Sequence, residues 1–292
     1  MATMTHPRGA AHLADAAARR KTLDTAAKYL LLTLFTLTWL LPILATLLTS
    51  FRTMDDIAVN GFWSIPETLT LQKFKDAWIA ARVRQYLLNS FIITIPSLLG
   101  MLFLSSLSAY ALARFKFKGN LFFYFMYVAG TLLPFQILLL PVFRLTNALG
   151  LYNTYGALIL IHTAFQLGFC TFVLRNFMRT VPSEILDAAR VDGCNEFRIY
   201  WQIMLPLSLP SLAALATLQF TWVFNDFLWA LILLQSDSLR PVTAGLATLQ
   251  GQYVTDWPLI TAGALLATLP TVLVFIFLQR YFIQGLTLGS GK

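Results

Sequence analysis

Groups able to do chemistry are sparse in this chain, and four of its 13 acids crowd into fifteen consecutive positions. They are Glu184, Asp187, Asp192 and Glu196, in SEILDAARVDGCNEF, between long apolar runs. Carboxylates at that density form either a solvated loop or a charged contact surface for a partner. A fifth acid, Asp226, lies inside an apolar run, TWVFNDFLW, beside Trp222, Asn225 and Trp229. Aromatic faces and amides suit sugar rings, whose C–H faces stack and whose hydroxyls need hydrogen bonds. The same residues equally suit an interfacial aromatic belt with a capped helix end. An ionisable residue within an apolar span is by default a functional candidate.

The other reactive types suggest no catalysis. His6 and His12 lie near the start, and His162 sits in an apolar run with no acid or cysteine at ligand spacing, so packing is its expected role and no metal site is expected. Cys170 and Cys194 give no disulfide framework. No Ser/His/Asp or Cys/His arrangement stands out, so no catalytic residue is expected and the chain does not read as an enzyme. The terminal GLTLGSGK has the look of a phosphate loop, but that pattern requires glycine at position 286, which is Leu286, and no helix can follow Lys292. A flexible tail is expected there.

These residues must be positioned by elements suited to lipid. Hydrophobic residues make up 58% of the chain and charged residues 12%, against about 25% charged in soluble domains. Six runs are long enough to cross roughly 30 Å of hydrocarbon, near Tyr29–Ser50, Leu87–Leu112, Leu121–Val142, Tyr155–Leu174, Leu207–Leu234 and Pro258–Leu278. Prolines 42, 96, 134, 141 and 270 fall inside them and are tolerable where neighbouring helices satisfy the freed backbone groups. The reading is an all-α integral membrane protein with six transmembrane helices. It divides into a head (1–28), an anchor helix (29–51), an outer loop (52–86), a five-helix core (87–281) with a polar loop (178–206), and a tail (282–292). The first apolar run is too long for a cleaved signal, so it reads as a retained anchor.

The net charge of +8 follows the same topology. Fourteen basic residues fall on one side: Arg8, Arg19, Arg20, Lys21, Lys28, Arg114, Lys116, Lys118, Arg175, Arg179, Arg190, Arg198, Arg280 and Lys292. Seven fall on the other: Arg52, Lys73, Lys75, Arg82, Arg84, Arg144 and Arg240. Basic loops stay cytoplasmic, so both termini and the acidic loop are expected inside the cell, and no nucleic-acid partner is needed to explain the charge. In the first outer loop, Leu71, Phe74 and Trp78 recur at helical spacing and predict a helix on the outer rim, packed on the spans or facing an external partner.

The acidic stretch has its own local logic. Pro182 and Ser183 predict a helix start with Ser183 as the cap, and Glu184 and Asp187 favour its positive end. Ala188 and Ala189 give a small surface for close approach, and Asp192-Gly193 predicts a turn. A second short helix, NEFRIYWQI, is expected to stop at Pro206 as the fifth span begins.

On these residues the chain resembles the membrane permease subunits of ATP-binding cassette importers. Their signature is E-A-A, three residues, glycine, nine residues, then I-x-L-P. Here Asp187-Ala188-Ala189, Gly193 and Ile203-Met204-Leu205-Pro206 keep every spacing over twenty positions, with aspartate in place of glutamate. AYALARFKFKGN, the NDFLW stretch and QRYFIQGLTLGSGK are similar to the second, shorter permease of maltose-type carbohydrate importers. The resemblance implies a type I importer permease fold with cytoplasmic coupling helices in a prokaryotic inner membrane. It implies a second permease subunit, two ATPase subunits that bind ATP and magnesium in this chain's stead, and an extracytoplasmic solute-binding protein. ATPase coupling would fall to Glu184, Asp187, Ala188, Ala189, Asp192, Gly193, Ile203, Leu205 and Pro206, and the solute path to Trp222, Asn225, Asp226 and Trp229. A sugar is the expected solute, with glycerol phosphate still open. An ion-coupled carrier is the other class of reading; it would need paired intramembrane charges and usually an internal repeat, and neither is visible in the sequence.

Overall fold

A computed structural model describes the backbone of residues 7–249 and 255–288 and the side chains of 20–249 and 255–280. The described residues are mostly helical and include no strand. α1 (Pro7–Ser50), α2 (Met54–Asn60) and α3 (Gln72–Ile79) precede a core of α4 (Val83–Arg114), α5 (Asn120–Leu132), α6 (Leu139–Ala148) and α7 (Tyr155–Thr180). The polar loop forms α8 (Ser183–Val191) and α9 (Glu196–Ile199), which runs through a π-helical segment, Tyr200–Met204, into the turn α10 (Leu205–Leu207). α11 (Leu209–Phe224), α12 (Leu228–Leu233), α13 (Val242–Ala247) and α14 (Trp257–Leu288) complete it.

Four helices are long and apolar enough to cross a membrane: α1 from Arg20, α4, α7, and α14 to Arg280. Two bent pairs bring the total to as many as six. Pro42, Pro96 and Pro270 are accommodated inside continuous helices. The third expected span, by contrast, is not one helix. Residues 120–132 and 135–148 meet at 91°. Leu133 is extended (φ −70°, ψ 125°) directly before Pro134, because the proline ring disfavours the helical conformation for the residue ahead of it and brings no N–H of its own.

The fifth expected span departs twice. Pro206 does not stop the chain, which stays helical through it and bends by 69° at Ser208, ahead of Pro210. The wider π turns before Pro206, where the Leu205 N–H bonds the Tyr200 carbonyl, absorb a proline that cannot donate. Downstream, α11 ends at Phe224, and α12 restarts only at Leu228. The outer-rim helix forms as α3 and packs on α14. Ala77 is buried and Phe74 meets Phe51 at 5.0 Å, whereas Leu71 and Trp78 are exposed.

α4 and α7 form the central pair. α11 packs on α4 and α14, α5 on α7, and α1 and α3 on α14. α1 exposes Leu30, Leu34 and Trp39 to 60% or more, a surface that only lipid or another apolar partner satisfies. Polar ties gather at the two ends. At one, Arg52 is fully buried and donates to Asp56 (2.6 Å) and Ser64 (2.7 Å), holding the Asp56 carboxyl below the usual carboxylate range. On the same side, Asn89 donates to the Ser238 and Arg240 carbonyls, and Arg82 pairs with Asp237 at 3.2 Å, strapping the segment after α12 onto α4. The other end carries the acidic loop.

Candidate functional site

The acidic loop folds as a knob of two helices. α8 starts at Ser183, but Pro182 occupies the cap position, so Ser183 makes no capping hydrogen bond and that expectation fails. Asn195 caps α9 instead, its side-chain oxygen accepting the Arg198 N–H at 2.8 Å. Between the helices Gly193 has φ +81°, a left-handed conformation that L side chains adopt at a cost of about 1–2 kcal/mol. A Cβ there would meet nothing within 4 Å, so backbone conformation rather than space explains the glycine.

Helix periodicity divides the signature residues between two faces. Leu186 and Ala189 point inward and are buried in the core, while Glu184, Asp187, Ala188 and Asp192 are exposed. Only one of the paired alanines therefore lies on the outer surface; consecutive residues step by 100° and cannot share a face. Ile203 and Leu205 pack partly against the core, and Pro206 is exposed.

Charge is organised inside the knob. Arg190 donates to Asp187 at 2.6 Å and to Glu196 at 2.7 Å, and these two carboxylates, Glu196 foremost, raise its proton affinity above that of an ordinary guanidinium. The second oxygen of Glu196 accepts the Tyr110 hydroxyl of α4 at 2.7 Å. Arg114, at the end of α4, donates to the Met178 and Val181 carbonyls where α7 gives way to α8. Arg175 in turn reaches the Leu112 carbonyl (3.3 Å) and lies 3.8 Å over the Tyr124 ring. Arginines thus cover the carbonyl ends of both central helices, where the helix dipoles favour cations. The sequence reading missed Tyr110 and Arg190. A visible signal for Tyr110 was the polar stripe Ser106, Tyr110, Arg114, spaced by four along an otherwise apolar span.

The second region is a cavity of about 820 Å³, lined by Trp222, Asn225, Asp226 and Trp229 together with residues of α5, α7 and α11. The four sequence candidates thus share one lining. Aromatic rings dominate: Trp229 is buried against Phe165 (5.4 Å) and Phe135 (6.3 Å), while Trp222 is well exposed. Gln219, on the same wall, is 2% exposed and has a buried carbonyl oxygen with no hydrogen-bond partner. Gly168 lets α7 approach α5 so closely that a Cβ would lie 2.7 Å from the Tyr127 carbonyl oxygen.

Asp226 sits in the break between α11 and α12 rather than along a continuous helix. Its carboxylate accepts the Ala230 N–H at 3.2 Å, and its backbone carbonyl accepts the Thr243 hydroxyl. His162 is not simply a packed residue without an acidic neighbour: its Nε2 lies 3.6 Å from the Asp226 carboxylate. The pair joins residues 64 positions apart, so local spacing could not reveal it. Cys170 and Cys194 are free. Of the GLTLGSGK tail, residues 289–292 lie outside the described residues, as do the side chains of the basic head before Arg20.

Residues 87–288 match the family model of the binding-protein-dependent transport system inner membrane component. The arabinooligosaccharides transport system permease protein AraQ of Halalkalibacterium halodurans is 41% identical over 254 residues, covering 86% of this chain and 90% of that protein. The diacetylchitobiose uptake system permease protein NgcG of Streptomyces coelicolor is 31% identical, covering 95% and 92%. A crystal structure of a bacterial ABC transporter involved in the import of the acidic polysaccharide alginate has the same fold, with a TM-score of 0.82 at 20% identity over 90% of this chain and 98% of that one. The family match spans more than half of the chain and these relatives align over most of their own length, so the chain belongs to the binding-protein-dependent transport system inner membrane components.

Proposed function

We propose that this chain is the shorter permease subunit of an ATP-driven sugar importer. It would pair with a second permease subunit to enclose the path, take solute from an extracytoplasmic binding protein, and be driven by two cytoplasmic ATPase subunits. ATP and magnesium would bind those subunits alone, and the chain itself would catalyse nothing. The observation that carries the reading is the twenty-position signature of the family, folded as an exposed knob whose apolar side is packed into the core. Glu184, Asp187, Ala188 and Asp192 would face the ATPase cleft, Gly193 would set the turn, and Ile203, Leu205 and Pro206 would carry the knob's movement toward α11. With the knob inside, the excess of basic residues at that end favours both termini in the cytoplasm of a prokaryotic cell.

A neutral di- or oligosaccharide is the solute class we infer. Relatives named for arabinooligosaccharides and diacetylchitobiose support it, as does a cavity that combines tryptophan faces with amides and a buried acceptor on Gln219. Its volume lies within the roughly 300–1,000 Å³ of small-molecule sites. In this reading Trp222 stacks on a sugar ring, Asn225 and Gln219 meet hydroxyls, and Asp226, fixed by His162 and the α12 N-terminus, holds the wall in place.

Purification of the tagged chain from native membranes tests the assembly. An ATPase and a second permease should co-purify, and a lone protein with ion-dependent uptake would refute the proposal. Gly193→Asp should leave the complex assembled but abolish ATP-driven uptake into vesicles. Wild-type uptake by that variant would remove the knob from the coupling path.

A further inference from the structure

The knob is attached to the membrane helices in an uneven way. Its sequence continues into α11, but its charged side chains reach α4. Ser106, Tyr110 and Arg114 recur every four residues and lie on one face of α4. Each touches a different part of the loop. The Ser106 and Tyr200 hydroxyls are 2.7 Å apart; Tyr110 donates to Glu196; and Arg114 donates to the Val181 carbonyl at 2.6 Å, two residues before α8. Tyr110 is also wedged between the rings of Phe115 (5.6 Å) and Tyr200 (5.4 Å). From Tyr110 the contacts continue without a gap through Glu196 and Arg190 to Asp187 on the outer face of α8.

We propose that this chain of side chains is a relay, and that α4, rather than the covalently continuous α11, is the membrane helix first moved by the knob. Both covalent routes are interrupted: toward α11 the chain passes through a π-helical segment and a 69° bend at Ser208, and from α7 it enters α8 through the extended, non-helical pair Val181 and Pro182. The side-chain route is short, is closed at every step by a charge-assisted bond or a buried hydroxyl pair, and ends on one continuous helix of 32 residues. Tyr110 and Glu196 are positioning residues in this scheme. Asp187 also gains a role that the shorter aspartate suits: it holds Arg190 within its own module while 61% of its side chain stays exposed for a partner. The proposal rests on the reading that α8 docks on an ATPase.

Spin labels on the complete reconstituted complex test it, with Cys170→Ala and Cys194→Ser as background. One pair, Ser183→Cys with Lys116→Cys, spans the knob and the inner end of α4. A second pair, Ser183→Cys with Val59→Cys, spans the protein from end to end. With Mg-ATP and vanadate the long distance should change while the short one stays fixed. In Tyr110→Phe, whose ring keeps its packing, the short distance should shift or broaden under the same conditions. Glu196→Leu breaks the same contact from the other side and should act alike, with the double variant no worse than either single. A short distance that stays fixed in both variants overturns the relay. A long distance indifferent to Mg-ATP and vanadate in the unaltered complex overturns the docking reading itself, and the relay with it.

Discussion

Asp187 and Asp226 hold the same functional group in two unlike settings. Asp187 sits on an exposed helix turn, paired with Arg190, and 61% of its side chain is in contact with solvent. Asp226 lies in a helix break, 14% exposed, satisfied by a backbone N–H and facing a buried histidine. A surface ion pair contributes about 0–1 kcal/mol, so the pairing of Asp187 with Arg190 adds little stability and mainly fixes local geometry. Removing the Asp226 carboxylate would leave the Ala230 N–H at the start of α12 without its acceptor, at about 1–3 kcal/mol. One end of the molecule therefore presents its carboxylates to solvent, and the cavity wall keeps its own half-enclosed.

That contrast can be broken most severely at two glycines. Gly168→Ala pushes a Cβ against the Tyr127 backbone, and overpacking of this kind costs about 1–3 kcal/mol. The variant should melt several degrees lower in detergent, whereas Gly193→Ala, with open space around it, should lose about 1–2 kcal/mol to backbone strain alone. Equal melting points for Gly168→Ala and the unaltered protein would show the wall to be pliable.

The two aspartates should separate next. Asp226→Ala should lower the melting temperature, losing about 1 kcal/mol from the hydrogen bond to the Ala230 N–H alone. Asp187→Ala should barely move it, yet should reduce ATP-driven transport. Should Asp226→Ala melt like the unaltered protein, the structural role given to that carboxylate falls.

A smaller effect is expected at the cavity. Trp222→Ala removes a stacking face worth about 0.5–1.5 kcal/mol, which corresponds to a rise of roughly 2- to 10-fold in KM for uptake with little change in melting. Smallest of all is the response to salt. The Arg190 pairs are about 40–60% exposed and should weaken as ionic strength rises, trimming coupling modestly, while the cavity interior is indifferent. Salt titration of transport in Asp187→Ala, where one pair is already lost, should show a flatter decline.

Much of this was legible in the residues. The start of α7 at Tyr155, the α8 helix from Ser183 and the left-handed Gly193 all follow from local chemistry: an apolar run after a capping threonine, acids near a helix start, a glycine after an aspartate. The breaks were harder. Pro134 and Pro206 look alike in sequence, each within an apolar stretch, yet one turns the chain by 91° and the other stays within a helix. What separates them is whether neighbouring turns can widen to absorb the missing N–H, and that depends on packing rather than on the proline. The Ala188-Ala189 pair gives the same lesson, because only the direction of the core decides which alanine is presented.

The sequence by itself determined the membrane class, the side on which the basic loops collect, and the spacing of the knob, because hydrophobic run length, charge bias and turn chemistry are local properties. Tertiary structure alone decided that Asp226 faces His162, that the cavity candidates share one wall with Gln219 and Phe165, and that Tyr110 meets Glu196 across 86 positions. Those contacts join distant segments whose meeting is set by how α4, α7 and α11 pack, and an apolar helix carries no local mark of which neighbour its few polar groups will find.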